Sequence, residues 1–210
     1  TMTLPPYQTA SGCTDIILHT MERYFIKENN MDITDGFAES LMRTVMKHTR
    51  ILMKEPNNYE SRAEVMWAGS LSHNDITGSR SFGDWACHQL EHELSGMYKV
   101  AHGAGLAAVW GSWARYVYQE QPSRFAQYAR NVMGIREEND VECALAGIEA
   151  TEQFFKEIGM PTSIHEMGIT LCEEDIRKLA WKCSFEDERT IGCFKVLKKE
   201  DMENIYRIAK

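Results

Sequence analysis

Apolar residues that recur every three to four positions, over nearly the whole chain, constrain its fold more than any other feature. In residues 8–28, Ile16, Ile17, Met21 and Phe25 fall on one face of a helical period. "MDITDGFAESLMRTVMKHTRILMKE" repeats the pattern and is stopped by "PNN". The same reading predicts helices at 58–77, at 84–98, over "GAGLAAVWGSWARYVYQE", at 121–133 and at 139–159, where Gly159 and Pro161 end the pattern. Two shorter stretches follow near 173–183 and 199–209. Only "TIGCFKVL", 190–197, reads as a strand. The strand–helix alternation that builds a parallel sheet is missing, so the expected fold is all-α, a single domain of about eight to ten helices.

With 43 % hydrophobic and 26 % charged residues, the 210-residue chain can bury a sizeable core without disulfides. No apolar run approaches the roughly 18 residues that span a bilayer. The first twenty residues lack a basic start followed by an apolar block. No membrane partner and a cytoplasmic setting are therefore expected. A net charge of −8 excludes an electrostatic nucleic-acid binder. The six cysteines form no C-x-x-C pair and read as buried, reduced thiols, with Cys87 notable only for preceding His88.

Three of seven histidines fall within "HQLEHELSGMYKVAHGAG", 88–105. His88 and His92 are four apart, which on a helix puts their Cβ atoms about 6 Å from each other. Asp15 and His19 share that spacing. His102 follows a break and can turn back toward the preceding helix. One carboxylate and up to four imidazoles, with no thiolate, suit Fe²⁺, Zn²⁺ or Mn²⁺. Spacing alone leaves open which of Asp15, His19, His88, His92 and His102 bind. Gly103-Ala104-Gly105-Leu106-Ala107-Ala108 matches G-x-G-x-x-A, but no strand precedes it, so its small residues are assigned to close helix packing. His48 reads as an exposed helix residue. His73 reads as a helix end or a cleft-facing residue, and His165 as a loop or helix-start residue. Trp67, Trp85, Trp110, Trp113 and Trp181 read mostly as core, with one or two at a cleft, and the twelve methionines as core filler.

Gly12-x-x-Asp15-x-x-x-His19-x-x-Glu22 resembles the first ligand motif of the iron-containing, or group III, alcohol dehydrogenases. His88-x-x-x-His92-Glu93-Leu94, followed by His102-Gly103, resembles their second. "TLPPYQTASGCTDIILHTMERYF" and "KEPNNYESRAEVMWAGSLSHN" are similar to the butanol-dehydrogenase-like, NAD(P)H-dependent aldehyde reductase branch. The likeness runs from about residue 3 to the C-terminus.

The resemblance implies that Asp15, His19, His88 and His102 hold Fe²⁺ or Zn²⁺. It implies that His92 does not bind the ion tightly but lies beside substrate and nicotinamide. It further implies a dehydroquinate synthase-like helical domain over 1–210, with the NAD(P)-binding α/β domain and its Gly-Gly-Gly-Ser motif absent from this chain. The expected role is the metal-binding half of an enzyme that interconverts primary alcohols and aldehydes with NAD(P)H, inactive without the nucleotide domain. A homodimer is possible by the same resemblance. In that enzyme the ion would act as a Lewis acid and His92 would relay a proton. Glu22 and Glu93 are candidates to orient ligand histidines, or else are helix-surface ion-pair partners. Two other readings compete: a stand-alone helical metallohydrolase, which would need no nucleotide domain, and a non-catalytic protein with a degenerate site.

Overall fold

A computed structural model describes residues 1–27, 30–78 and 83–210. Among them the chain forms nine α-helices: α1 (Pro6–Tyr24), α2 (Asp32–Lys54), α3 (Tyr59–Ser72), α4 (Ala86–Tyr98), α5 (His102–Val117), α6 (Pro122–Asn131), α7 (Asp140–Glu157), α8 (Glu173–Cys183) and α9 (Lys199–Ala209). Two single-turn 3₁₀ segments lie at Tyr118–Glu120 and His165–Met167. The expected all-α class is observed. The first helix ends sooner than its apolar pattern, because Phe25 and Ile26 turn inward after it; residue 28, where that pattern ended, lies outside the described residues. None of the helices among the described residues is long and apolar enough to cross a membrane.

Local chemistry sets the ends. Prolines occupy the first turns of α1 and α6, where a missing N–H costs nothing. Asn58 and Asn139 cap α3 and α7 through side-chain oxygens that accept backbone N–H groups. Helix α5 lies at the centre, buried on nearly every side, and packs against α1, α4, α7 and α9. Its small residues permit that enclosure. A Cβ on Gly103 would stand 1.9 Å from the Ser11 carbonyl oxygen of α1, and one on Gly105 would stand 2.6 Å from Glu91 of α4. The G-x-G-x-x-A stretch is thus a packing device. Around it Phe25, Trp110, Trp113, Phe125, Tyr128 and Phe194 form an aromatic core, with Phe25 and Phe125 stacked at 4.4 Å.

The expected strand at 190–197 is not formed. Ile191 and Leu197 make one isolated antiparallel bridge, because the segment between them turns. Gly192 takes φ +79°, and the Asp84 carboxylate accepts the Cys193 and Phe194 N–H groups at 2.7 Å each. Backbone donors that a strand would have offered to a ladder are spent on Asp84. That carboxylate also accepts the Ala86 N–H at the start of α4, while the Asp84 N–H donates to the Glu22 carbonyl at 2.7 Å. The tail therefore fixes α4 against the end of α1, the two helices that carry most of the site.

Three side-chain expectations need correction. Cys172 and Cys193 are exposed, although Cys13, Cys87, Cys143 and Cys183 are buried as expected. His48 is half-buried and its Nδ1 meets Ser61 Oγ at 3.0 Å, because α2 and α3 pack along that edge. Of the five tryptophans only Trp110 and Trp113 are core; Trp67 and Trp181 are exposed and Trp85 stands beside the site.

Candidate metal centre

Seven residues apart on α1, Asp15 and Glu22 share a face, with His19 between them at the i+4 position. That face meets the start of α4 and the start of α5. Asp15 Oδ1 becomes the focus. It lies 3.6 Å from His19 Nε2, 3.6 Å from His88 Nε2 and 3.3 Å from His102 Nε2. Nitrogen and oxygen donors about 2.1 Å from a tetrahedral ion stand roughly 3.4 Å from one another. The separations fit a shared cation and are too long for good hydrogen bonds. Asp15 Oδ1 and His88 Nε2 are buried and have no hydrogen-bond partner, an unfavourable condition that a cation between them relieves. The donor set of one carboxylate and three imidazoles suits Fe²⁺ or Zn²⁺.

Carboxylates behind the cluster set the rings. Glu22 Oε1 accepts both the backbone N–H of His88 and its Nδ1–H, each at 3.0 Å. His102 Nδ1 bonds Glu91 Oε2, and Glu91 also accepts the Ser95 hydroxyl. Both carboxylates are buried, and both leave the histidine Nε2 facing Asp15. Glu22 thus occupies the orienting place expected from the sequence. Glu93 does not: it faces away and reaches Lys182 Nζ at 3.7 Å. Glu91 was missed, yet helical geometry could have found it. At about 100° per residue, Glu91 lies roughly 60° from His88 around α4, whereas Glu93 lies roughly 140° away.

The charges are strongly coupled. Burial works against the Asp15 carboxylate, but the His102 and His88 imidazoles outweigh it and hold its pKa below the usual range. Burial pushes His19 down to about 3. The Asp15 and Glu91 carboxylates beside its ring lift His102 to about 10. Burial opposes the charge of His88, yet Asp15 and Glu22 raise its pKa. Partial desolvation lowers that of His92.

The structure brings all five sequence-named residues together but gives them unequal places. His19, His88 and His102 each turn Nε2 toward Asp15 Oδ1; Asp15, His19 and His88 form the tighter donor group, and His102 also groups with Glu91 and His92. His92 is exposed, and its ring lies over that of His102 at 5.5 Å with a tilt of 26°. Trp85, with φ +61° at the start of α4, sets its ring edge-on to His19 and His88 at 5.3 and 5.1 Å. His73, at the end of α3, packs on His19. His165 begins an exposed 3₁₀ turn.

Comparison with known proteins gives a consistent picture. The family described as Fe-containing alcohol dehydrogenase family, C-terminal, matches residues 9–210. NADH-dependent butanol dehydrogenase A of Clostridium acetobutylicum is 35 % identical over 209 residues, covering 99 % of this chain and 53 % of that protein. The NADPH-dependent aldehyde reductase YqhD of Escherichia coli is 38 % identical over 169 residues, covering 80 % of this chain and 44 % of the relative. The crystal structure of NADH-dependent butanol dehydrogenase A from Thermotoga maritima superposes with a TM-score of 0.92 at 38 % identity, over 99 % of this chain and 53 % of that one. The chain spans about half the length of these relatives. Its helical fold, its two ligand-type motifs and this match along nearly its full length lead to one assignment: the chain belongs to the Fe-containing alcohol dehydrogenase family, within that family's C-terminal region.

Proposed function

We propose that this chain is the metal-binding half of an enzyme that interconverts alcohols and aldehydes with NADH or NADPH. Asp15, His19, His88 and His102 are its metal ligands, and Fe²⁺ or Zn²⁺ its ion. The observation that carries the reading is the convergence of three imidazole Nε2 atoms on one buried carboxylate oxygen at 3.3–3.6 Å. When bound, the ion supplies Lewis acidity toward a substrate oxygen.

The chain's own residues supply the rest. Glu22 and Glu91 hold His88 and His102 with Nε2 turned toward Asp15. Trp85 packs edge-on against His88 and His19. His92 is exposed beside the cluster, where its imidazole can pass a proton between the reacting oxygen and solvent. The same exposed position suits contact with a nicotinamide. That cofactor is presented by a nucleotide-binding α/β domain, the counterpart of the half of the relatives that this chain does not match. The relatives named above are dehydrogenases and a reductase, so the stand-alone hydrolase is not favoured.

The test uses the protein joined to its nucleotide-binding domain. His92→Ala should retain a full equivalent of metal while NAD(P)H-dependent reduction of butanal falls by about 10²–10⁴-fold, the usual weight of one general acid–base group. Unchanged turnover would remove His92 from the reaction. Metal loss in this variant would make His92 a ligand and displace the proposed set.

A further inference from the structure

The end of α3 brings one more imidazole to the centre. His73 follows the last turn of that helix, and its ring packs on the His19 ring with centroids 3.8 Å apart and a tilt of 34°. Its Nε2 stands 3.8 Å from Asp15 Oδ2.

The hydrogen bonds around His73 decide which ring nitrogen carries the proton. Nδ1 lies 2.9 Å from the Gly69 carbonyl oxygen and 2.8 Å from Ser72 Oγ. The Ser72 hydroxyl donates to the same Gly69 carbonyl at 3.0 Å. A carbonyl oxygen only accepts, so the proton is on Nδ1, shared between Gly69 and Ser72 Oγ. In the neutral ring Nε2 then carries a bare lone pair on the side of Asp15 and His19. A lone pair turned toward a carboxylate is unfavourable unless a cation lies between them. An Nε2–H at 3.8 Å would be too distant for a hydrogen bond to Asp15.

This is the arrangement of a metal-binding histidine: one nitrogen donates to a carbonyl or carboxylate, the other faces the donor cluster. His88 and His102 have it through Glu22 and Glu91. His73 has it through Gly69. His19 lacks it, since its buried Nδ1 has no hydrogen-bond partner. The position of His73 is also fixed by the fold. Arg23, only 8 % exposed, donates from one guanidinium nitrogen to the His19 carbonyl at 3.0 Å and to the Ser72 carbonyl at 2.8 Å. Its Nε donates to Asp75 Oδ1 at 3.1 Å. One buried side chain thus clamps the end of α3 onto the turn of α1 that carries His19. The His73 side chain is nonetheless 44 % exposed, so it reaches the centre from the solvent side, unlike His88 at 6 %.

We propose that His73 is a fifth donor to the ion, supplied by α3, which closes the coordination shell when no substrate is present. The inference rests on the proposed function, because it requires the ion that Asp15, His19, His88 and His102 would hold.

Cobalt(II) is the probe, since its visible absorption is intense in four-coordinate tetrahedral sites and weaker in five-coordinate ones. The metal-free protein is loaded with one equivalent of Co²⁺ and compared with His73→Leu. The wild type should show the weaker, five-coordinate spectrum. H73L should show the more intense tetrahedral bands and should release Co²⁺ to a chelator at least about tenfold faster, the lower range for loss of a supporting group at such a site. Proton NMR of the Co²⁺-loaded wild type gives a count that needs no variant. Four contact-shifted ring N–H signals are expected, from His19, His73, His88 and His102. Three signals, or a spectrum and release rate unchanged by H73L, would overturn the assignment of His73 and leave the four-ligand centre standing. Failure of the wild type to take up Co²⁺ would overturn both.

Discussion

At the scale of single residues, the carboxylates behind the histidines matter as much as the histidines. Glu91 is fully buried and holds His102 Nδ1 and the Ser95 hydroxyl. Removing it leaves both without their acceptor and frees the His102 ring. Glu91→Ala should therefore weaken ion binding by about 10–100-fold in chelator competition, as loss of an orienting partner does. Glu93→Ala, two positions on, should change affinity by less than about threefold, because its carboxylate faces Lys182 at 3.7 Å rather than the cluster. Equal losses in the two variants would contradict the roles given to these carboxylates. Ligand type and spacing marked Asp15, His19, His88, His92 and His102 as candidates, and only the resemblance to the family divided them into four proposed ligands and His92. Spacing could not separate His92 from His88, because residues four apart share a face wherever the helix points. Glu91 stayed hidden, and His73 was legible only as a helix end or cleft-facing residue, for related reasons. Glu91 needs the angular sum around α4, and His73 needs the contact between α3 and α1, separated by more than fifty positions.

At the scale of elements, the centre depends on how closely α5 approaches α1. Gly103 touches the Ser11 backbone so tightly that a Cβ would stand 1.9 Å from a carbonyl oxygen, and backbone cannot rotate aside. Gly103→Ala should force the two helices apart, cost about 1–3 kcal/mol or more in denaturant unfolding, and separate His102 from Asp15. Gly12, also within a helix, has no atom within 4 Å of an added Cβ. Gly12→Ala should therefore be neutral or stabilise by up to about 1 kcal/mol. A harmless G103A would show that the glycines do not set this approach. The helices were legible from their apolar periodicity, and α1, α3, α6 and α7 also from a proline or asparagine at the start. The 190–197 segment was not. Its β-branched and aromatic content favours a strand, but Asp84, more than a hundred positions away, captures the donors that a second strand would need.

At the scale of the whole molecule, helices distant in sequence place one carboxylate and three imidazoles at the meeting point of α1, α4 and α5, with α3 closing one edge. The core was readable as a class from composition and periodicity. Which large side chains remain outside it was not, since Trp67 and Trp181 obey the same periodicity as Trp110 and Trp113 yet lie at 62 % and 44 % exposure. An ion that binds only the folded chain adds stability by mass action, about 2.7 kcal/mol at a hundred times its dissociation constant. The most direct measurement is calorimetric titration of the metal-free protein with Zn²⁺, repeated anaerobically with Fe²⁺. The account expects one tightly held ion per chain, lost in His102→Ala and kept in His92→Ala. Equal, tight binding after His102→Ala, or no saturable binding to the wild type, would contradict it.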